Sequence, residues 1–279
     1  MKNFLIPVDF SDVSYTTAQY AVDMAAHLHA EKIIFYHSYA HRPLDGLASD
    51  DEHTGYQQST LRHLKKMVSK LHIPATLPTE RLILLADDEQ VKAGVESIVS
   101  AYAISLIVMG IAGLSDIENT LIGRNTMAVA ESGAAPLLIV PRDHRFRPVN
   151  KVVYATDLKH VEQITPVTSI LRLVNQLEAE THIVHVDPAT QGQTPEKIKG
   201  KQDILKILAA LDPVFEVVSE PVNKAEGIFD YVKQHGIDLI LMASRNYGFF
   251  ERLFHSSVSK RLLNIADVPV VLLKNKPVA

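Results

Sequence analysis

Cysteine is absent from this 279-residue chain, which excludes disulfides, thiolate metal sites and cysteine nucleophiles. Long apolar runs are also missing: no stretch approaches the roughly 18 consecutive apolar residues that a membrane span needs. The N-terminal run Phe4-Leu5-Ile6-Pro7-Val8 is too short for a secretory leader and ends on Asp9. The expectation is therefore a cytoplasmic protein without membrane contact. There is no strong charge bias either. The formal net charge is −4; the first half is acidic and the second slightly basic, and neither is polarised enough to imply a nucleic-acid partner. The chain lacks GxxxxGK[ST], a strand-linked GxGxxG and a GxSxG nucleophile elbow. No base stands out to direct water at a phosphate, so an enzyme is not expected.

What is present is an ordinary globular composition, 47% hydrophobic and 22% charged, at a length suited to two domains. The two halves repeat each other. Asn3-Phe4-Leu5-Ile6-Pro7-Val8-Asp9 recurs as Lys151-Val152-Val153-Tyr154-Ala155-Thr156-Asp157, each a short apolar run closed by aspartate. Ile104-Ser105-Leu106-Ile107-Val108-Met109 recurs as Ile237-Asp238-Leu239-Ile240-Leu241-Met242, and Ala135-Pro136-Leu137-Leu138-Ile139-Val140 as Val268-Pro269-Val270-Val271-Leu272-Leu273. Five strand-like runs fall in each half, counting Arg81–Leu85 and Phe215–Ser219. The charged stretch between Pro141 and Pro148 reads as a linker, giving domains at 1–143 and 149–279.

Amphipathic helices fill most gaps. Ala18, Ala21, Val22, Ala25 and Leu28 share one face behind Ser11 or Asp12 as a cap, and Val91, Val95, Ile98 and Tyr102 share another. Continuous apolar strands alternating with such helices predict an α/β fold: two repeated, open, parallel five-stranded sheets flanked by helices, Rossmann-like in kind. Each half ends in an apolar strand that would be an exposed sheet edge. Pairing the two last strands with each other covers both and makes the chain an intramolecular pseudo-dimer.

The repeat is unequal at one place. Met109-Gly110-Ile111-Ala112-Gly113, nine residues, then Gly123-Arg124-Asn125-Thr126 in the first half becomes Met242-Ala243-Ser244-Arg245-Asn246, nine residues, then Ser256-Ser257-Val258-Ser259. Every glycine of the frame is gone from the second copy. Glycine permits φ > 0 and close approach of backbone to a ligand. Ligands of open parallel sheets sit at the carboxyl ends of the strands, where Asp9 and Gly110 fall. The Gly123-Arg124-Asn125-Thr126 segment opens the last helix of its half, and helix N-termini bind anions. A phosphate on the glycine loop and helix start, with the Asp9 carboxylate accepting from a nucleoside amino group or hydroxyl, fits this arrangement.

These residues carry a resemblance. The spacing Gly, two residues, Gly, nine residues, Gly, with Pro7-Val8-Asp9-Phe10-Ser11 and His37, is similar to the universal stress protein family, and the likeness extends over the whole chain as a tandem of two such domains. The resemblance implies an adenine-nucleotide-binding module of stress response or regulation. ATP or AMP would be held in the N-terminal domain only, by Pro7, Val8, Asp9, Met109, Gly110, Gly113, Gly123, Arg124, Asn125 and Thr126. It implies adenine or ribose at Asp9 and phosphates on the loop and helix start. The implied partners are the nucleotide and an unidentified protein; a homodimer stays open. The alternatives are a nucleotide-free interaction scaffold with both pockets degenerate and a weak ATP hydrolase.

Arg124 departs from the family pattern, which has a hydroxyl there. A cation at a helix N-terminus opposes the helix dipole by about 0.3–1 kcal/mol. Three environments are open to it: a phosphate, the Asp9 carboxylate of an empty site, or water. Asp9 could also simply cap the first helix, and Gly110 and Gly113 could make only a tight turn. In the second half Asn246 tolerates φ > 0 and Asp157 and Ser257 persist. Ala243, Ser256, Phe249 and Phe250, however, add bulk, so a closed or remodelled pocket is expected. His41, Asp45, Asp50, Asp51, Glu52 and His53 read as a solvated loop, and His37 and His185 as structural histidines. No metal site is expected.

Overall fold

The short apolar runs form strands, and the 3.6-residue patterns between them form helices. The computed structural model describes residues 2–39, 50–111, 123–187, 194–219, 224–244 and 268–275. The first half runs β1 (Asn3–Pro7), α1 (Asp12–His27), β2 (Lys32–Ser38), α2 (Asp50–Val68), β3 (Leu82–Asp87), α3 (Val91–Tyr102), β4 (Leu106–Ile111), α4 (Arg124–Ser132) and β5 (Leu137–Pro141). The second runs β6 (Lys151–Ala155), α5 (Val161–Ile164), α6 (Val167–Leu177), β7 (Glu180–Asp187), α7 (Pro195–Ile207), β8 (Val214–Ser219), α8 (Lys224–His235), β9 (Leu239–Ser244) and β10 (Val270–Lys274).

All ten strands join one sheet, in the order β3-β2-β1-β4-β5-β10-β9-β6-β7-β8. Pairing is parallel within each half, as in Asn3↔Lys32 and Ile107↔Leu137. The halves meet through the antiparallel pair β5–β10, with Leu138 opposite Val271 and Leu137 opposite Leu272. The two apolar edges therefore cover each other, and the expected pair of sheets is one continuous sheet. Leu138 and Val271 are completely buried.

Central strands are buried on both faces, which is why they read as unbroken apolar runs. Phe4, Ile6 and Val108 face a core built with α1, α2, α6 and α7. Leu5, Ile107 and Ile139 face the other, under α3, α4 and α8. The linker is tied down: Phe146 packs edge-on against Tyr20 of α1, ring centroids 5.5 Å apart.

One difference between the halves was not legible in the repeat. With Asp9 aligned on Asp157, Thr165-Pro166 falls opposite Thr17-Ala18 in the middle of α1. Pro166 has no N–H to give to a helix ladder, and the Val167 N–H donates to the Thr165 carbonyl at 2.9 Å. The element that is a single helix in the first half is thus split into α5 and α6 in the second. No helix among the described residues is long and apolar enough to cross a membrane.

Candidate functional site

Strand order in the first half reverses between β1 and β4, and a crevice opens at their carboxyl ends. Its volume is about 890 Å³. Pro7, Val8 and Asp9 follow β1 into it, Met109 and Gly110 enter from β4, and Gly123, Arg124, Asn125 and Thr126 enter from the start of α4. Nine of the ten expected site residues therefore line one cleft; Gly113 lies outside the described residues.

Asp9 is exposed, and its Oδ1 accepts from the Ser11 N–H at 3.0 Å and the Ser11 hydroxyl at 2.6 Å. The Ser11 Oγ in turn accepts from the Ser14 N–H at 3.2 Å and is the N-cap of α1. This corrects the alternative in which Asp9 caps the helix: Ser11 caps it, and Asp9 holds the cap. The turn leaves Phe10 at φ 64, its ring tilted against His37 with centroids 4.5 Å apart. The second half repeats the device, with Asp157 Oδ1 accepting from the Lys159 N–H at 2.9 Å and Leu158 at φ 59.

Neither described glycine of the frame uses positive φ, which corrects that part of the expectation. Gly110 lies within β4 and is absent from the positive-φ positions, and Gly123 has φ −57. A Cβ at Gly110 would overlap Thr17 Oγ1 and come within 2.7 Å of Val13 Cγ1, so this glycine makes room for α1. A Cβ at Gly123 would meet no described heavy atom within 4 Å. Gly123 is the N-cap of α4, and among the described residues no side chain caps its first-turn N–H groups, the groups that bind anions at helix N-termini. Beside it Arg124 is exposed and makes no hydrogen bond or ion pair with the described residues, Asp9 included. Thr126 is buried, 5% exposed, but still lines the cleft.

The wall of the cleft includes a residue that the sequence reading passed over. Tyr36 of β2 is buried, and its hydroxyl donates to Asp87 Oδ1 at 2.6 Å. Burial, then this bond and the charge of Asp87, hold the phenol above its ordinary pKa. A Cβ at Gly94 in α3 would overlap Tyr36 Oη. A glycine inside a helical pattern was the available signal. His37 sets its Nδ1 2.7 Å from the Val8 carbonyl, and His185 repeats this at 2.9 Å from the Thr156 carbonyl. His37 is half-buried and lines the cleft, while His185 is buried, 3% exposed.

In the second half the counterpart loop, with Asn246, Phe249, Phe250, Ser256 and Ser257, lies outside the described residues, as do the side chains of the 41–53 cluster. Ala243 stands in β9 where Gly110 stands in β4.

A sequence profile of the Universal stress protein family matches the chain twice, over residues 1–141 and 148–274. The chain belongs to the universal stress protein family. Its fold is similar to that of a universal stress protein from Archaeoglobus fulgidus DSM 4304, at 20% identity over 98% of each chain and a TM-score of 0.66. It is also similar to a functionally unknown protein from Pseudomonas aeruginosa PAO1, at 11% identity over 99% of this chain and 93% of that one, TM-score 0.53. A universal stress protein from Archaeoglobus fulgidus in complex with dAMP matches 47% of this chain and 100% of its own, at 16% identity and a TM-score of 0.33. None of the curated proteins compared with it matches. As a universal stress protein of two repeats, the chain carries Gly110, Gly113 and Gly123 in the first repeat only, with Arg124 following the last of them.

Proposed function

We propose that this universal stress protein is an adenine-nucleotide-binding stress-response or regulatory module, with ATP or AMP in the first-half cleft and no equivalent site in the second half. The observation that carries this reading is Gly123. Among the described residues it has neither a conformational nor a packing reason to be glycine, no side chain caps the helix it opens, and the neighbouring Arg124 has no partner. Phosphate accepts from the first turn of α4 and from the Arg124 guanidinium. The nucleoside lies toward Asp9, Tyr36 and His37. Binding proceeds without turnover, and the bound state is read by a protein partner.

A second reading, a nucleotide-free scaffold, draws on Gly110, whose lack of a side chain is accounted for by α1. Native mass spectrometry of freshly purified protein, with calorimetry against ATP and AMP, separates the two. About one adenine nucleotide per chain supports the module; a folded protein that takes up neither ligand at millimolar concentration supports the scaffold. Mg-dependent phosphate release above that of Asp9→Ala would instead make the protein a hydrolase.

A further inference from the structure

α4 joins two clefts. It is nine residues long, about 13 Å, and runs from Gly123 at the nucleotide cleft to Gly133 at a second cleft of about 490 Å³ between the halves. Ser105, Gly133 and Pro136 of the first half line that cleft, facing Ser169, Arg172 and Lys274 of the second. Lys274 ends β10, and its aliphatic stem lies on Gly133: a Cβ there would overlap Lys274 Cδ and come within 3.2 Å of its Cβ and Cε. Gly133 is the left-handed C-cap of α4, with φ 56. The Lys274 Nζ donates to the Glu131 carbonyl at 3.4 Å, one of the last-turn carbonyls that lack an intrahelical partner.

The helix does not supply its own end groups. No basic residue stands in its last turn, and no side chain among the described residues caps its first. The second half provides the cation that a helix C-terminus favours, and the other end is open to an anion. A nine-residue helix is far shorter than one that holds by itself in water and rests on the packing of Val129 and Ala130, so contacts at either end add to the stability of one short cooperative element. Two groups that order the same cooperative element favour each other's binding, and by the same factor.

Resting on the nucleotide reading above, we infer that α4 couples nucleotide binding in the first half to the junction with the second half through Lys274. Phosphate at the first turn orders α4, its last carbonyls are presented to Lys274, and the junction tightens. The second half then acts as the reader of a ligand it does not itself hold.

Calorimetry with ATP on the full chain, comparing wild type, Lys274→Met and Lys274→Arg, tests this alongside hydrogen exchange with and without ATP. Lys274→Met keeps the stem on Gly133 and loses the charge; its ATP affinity falls by about two- to fivefold, while Lys274→Arg binds like wild type. In wild type, ATP slows exchange at residues 131–136 and 270–275 as well as around the cleft. Wild-type affinity in Lys274→Met, with protection confined to the cleft, overturns the coupling alone. A wild-type chain that binds no ATP overturns the nucleotide reading and the coupling with it.

Discussion

Thr17 of α1 occupies the space that a side chain at residue 110 of β4 would need: a Cβ on Gly110 would overlap its Oγ1. The first glycine of the frame thus serves the contact between a helix and a strand, whatever the cleft holds. In the second half Ala243 stands at the corresponding place, and the helix opposite is broken at Thr165-Pro166. Loss of that glycine and loss of the continuous helix coincide.

Gly110→Ala is therefore expected to destabilise the fold by about 1–3 kcal/mol, the usual cost of overpacking. Adding Thr17→Ala recovers part of the loss, because the two sites share one contact. Urea titrations read this as a lowered midpoint in the single variant that partly returns in the double, at unchanged slope. A single variant as stable as wild type would show that α1 yields freely.

Gly123→Ser should behave in the opposite way. Serine is at least as good an N-cap as glycine, so thermal stability stays level or rises by a few tenths of a kcal/mol. The new hydroxyl competes with phosphate for the first-turn N–H groups, and nucleotide affinity falls by about tenfold, the equivalent of one such bond at about 1.4 kcal/mol. Calorimetry and a melting curve on the same sample check both halves of the statement. Undiminished affinity removes Gly123 from the site.

Asp9 has a structural task as well as the proposed ligand task, and two substitutions separate them. Asp9→Asn keeps an oxygen for the Ser11 N–H and hydroxyl, so stability changes by less than about 0.5 kcal/mol, while the loss of charge weakens nucleotide binding. Asp9→Ala loses the turn too and costs about 1 kcal/mol more. If Asp9→Asn binds ATP and AMP as wild type does, the carboxylate is only part of the turn.

Alkaline pH should weaken the fold through buried phenols. Tyr231 lies 2.7 Å from His182 Nδ1, and burial, then Glu216 and Glu180, push it up to about 12. A group whose pKa is raised on folding contributes stability that is full below its unfolded value, near 10, and is lost as pH rises toward the folded one. Melting temperatures should decline between about pH 10 and 12. Tyr231→Phe makes the decline shallower without abolishing it, since Tyr20, Tyr36 and Tyr154 are also raised. An unchanged slope in the variant contradicts the assignment.

The strands, the internal repeat, the pairing of the two last strands and the end of the sheet that carries the cleft were legible in the chain; the split of α5 from α6 and the start of α2 at Asp50, where the sequence reads as a polar loop, were not. Each depends on local periodicity or on burying an apolar edge, and such patterns are written residue by residue. That the nine described candidate residues line one cleft follows from the same logic, because a parallel sheet brings the ends of β1 and β4 and the start of α4 together whatever the side chains are. The reasons behind individual residues were not legible. Gly110 answers to Thr17, Gly94 to Tyr36 and Gly133 to Lys274, and each pair joins positions far apart in sequence, the last across the two halves. A glycine spelled in the chain says that a side chain is missing; whether a turn, a neighbouring side chain or a ligand takes the space depends on which distant segment the fold lays against it.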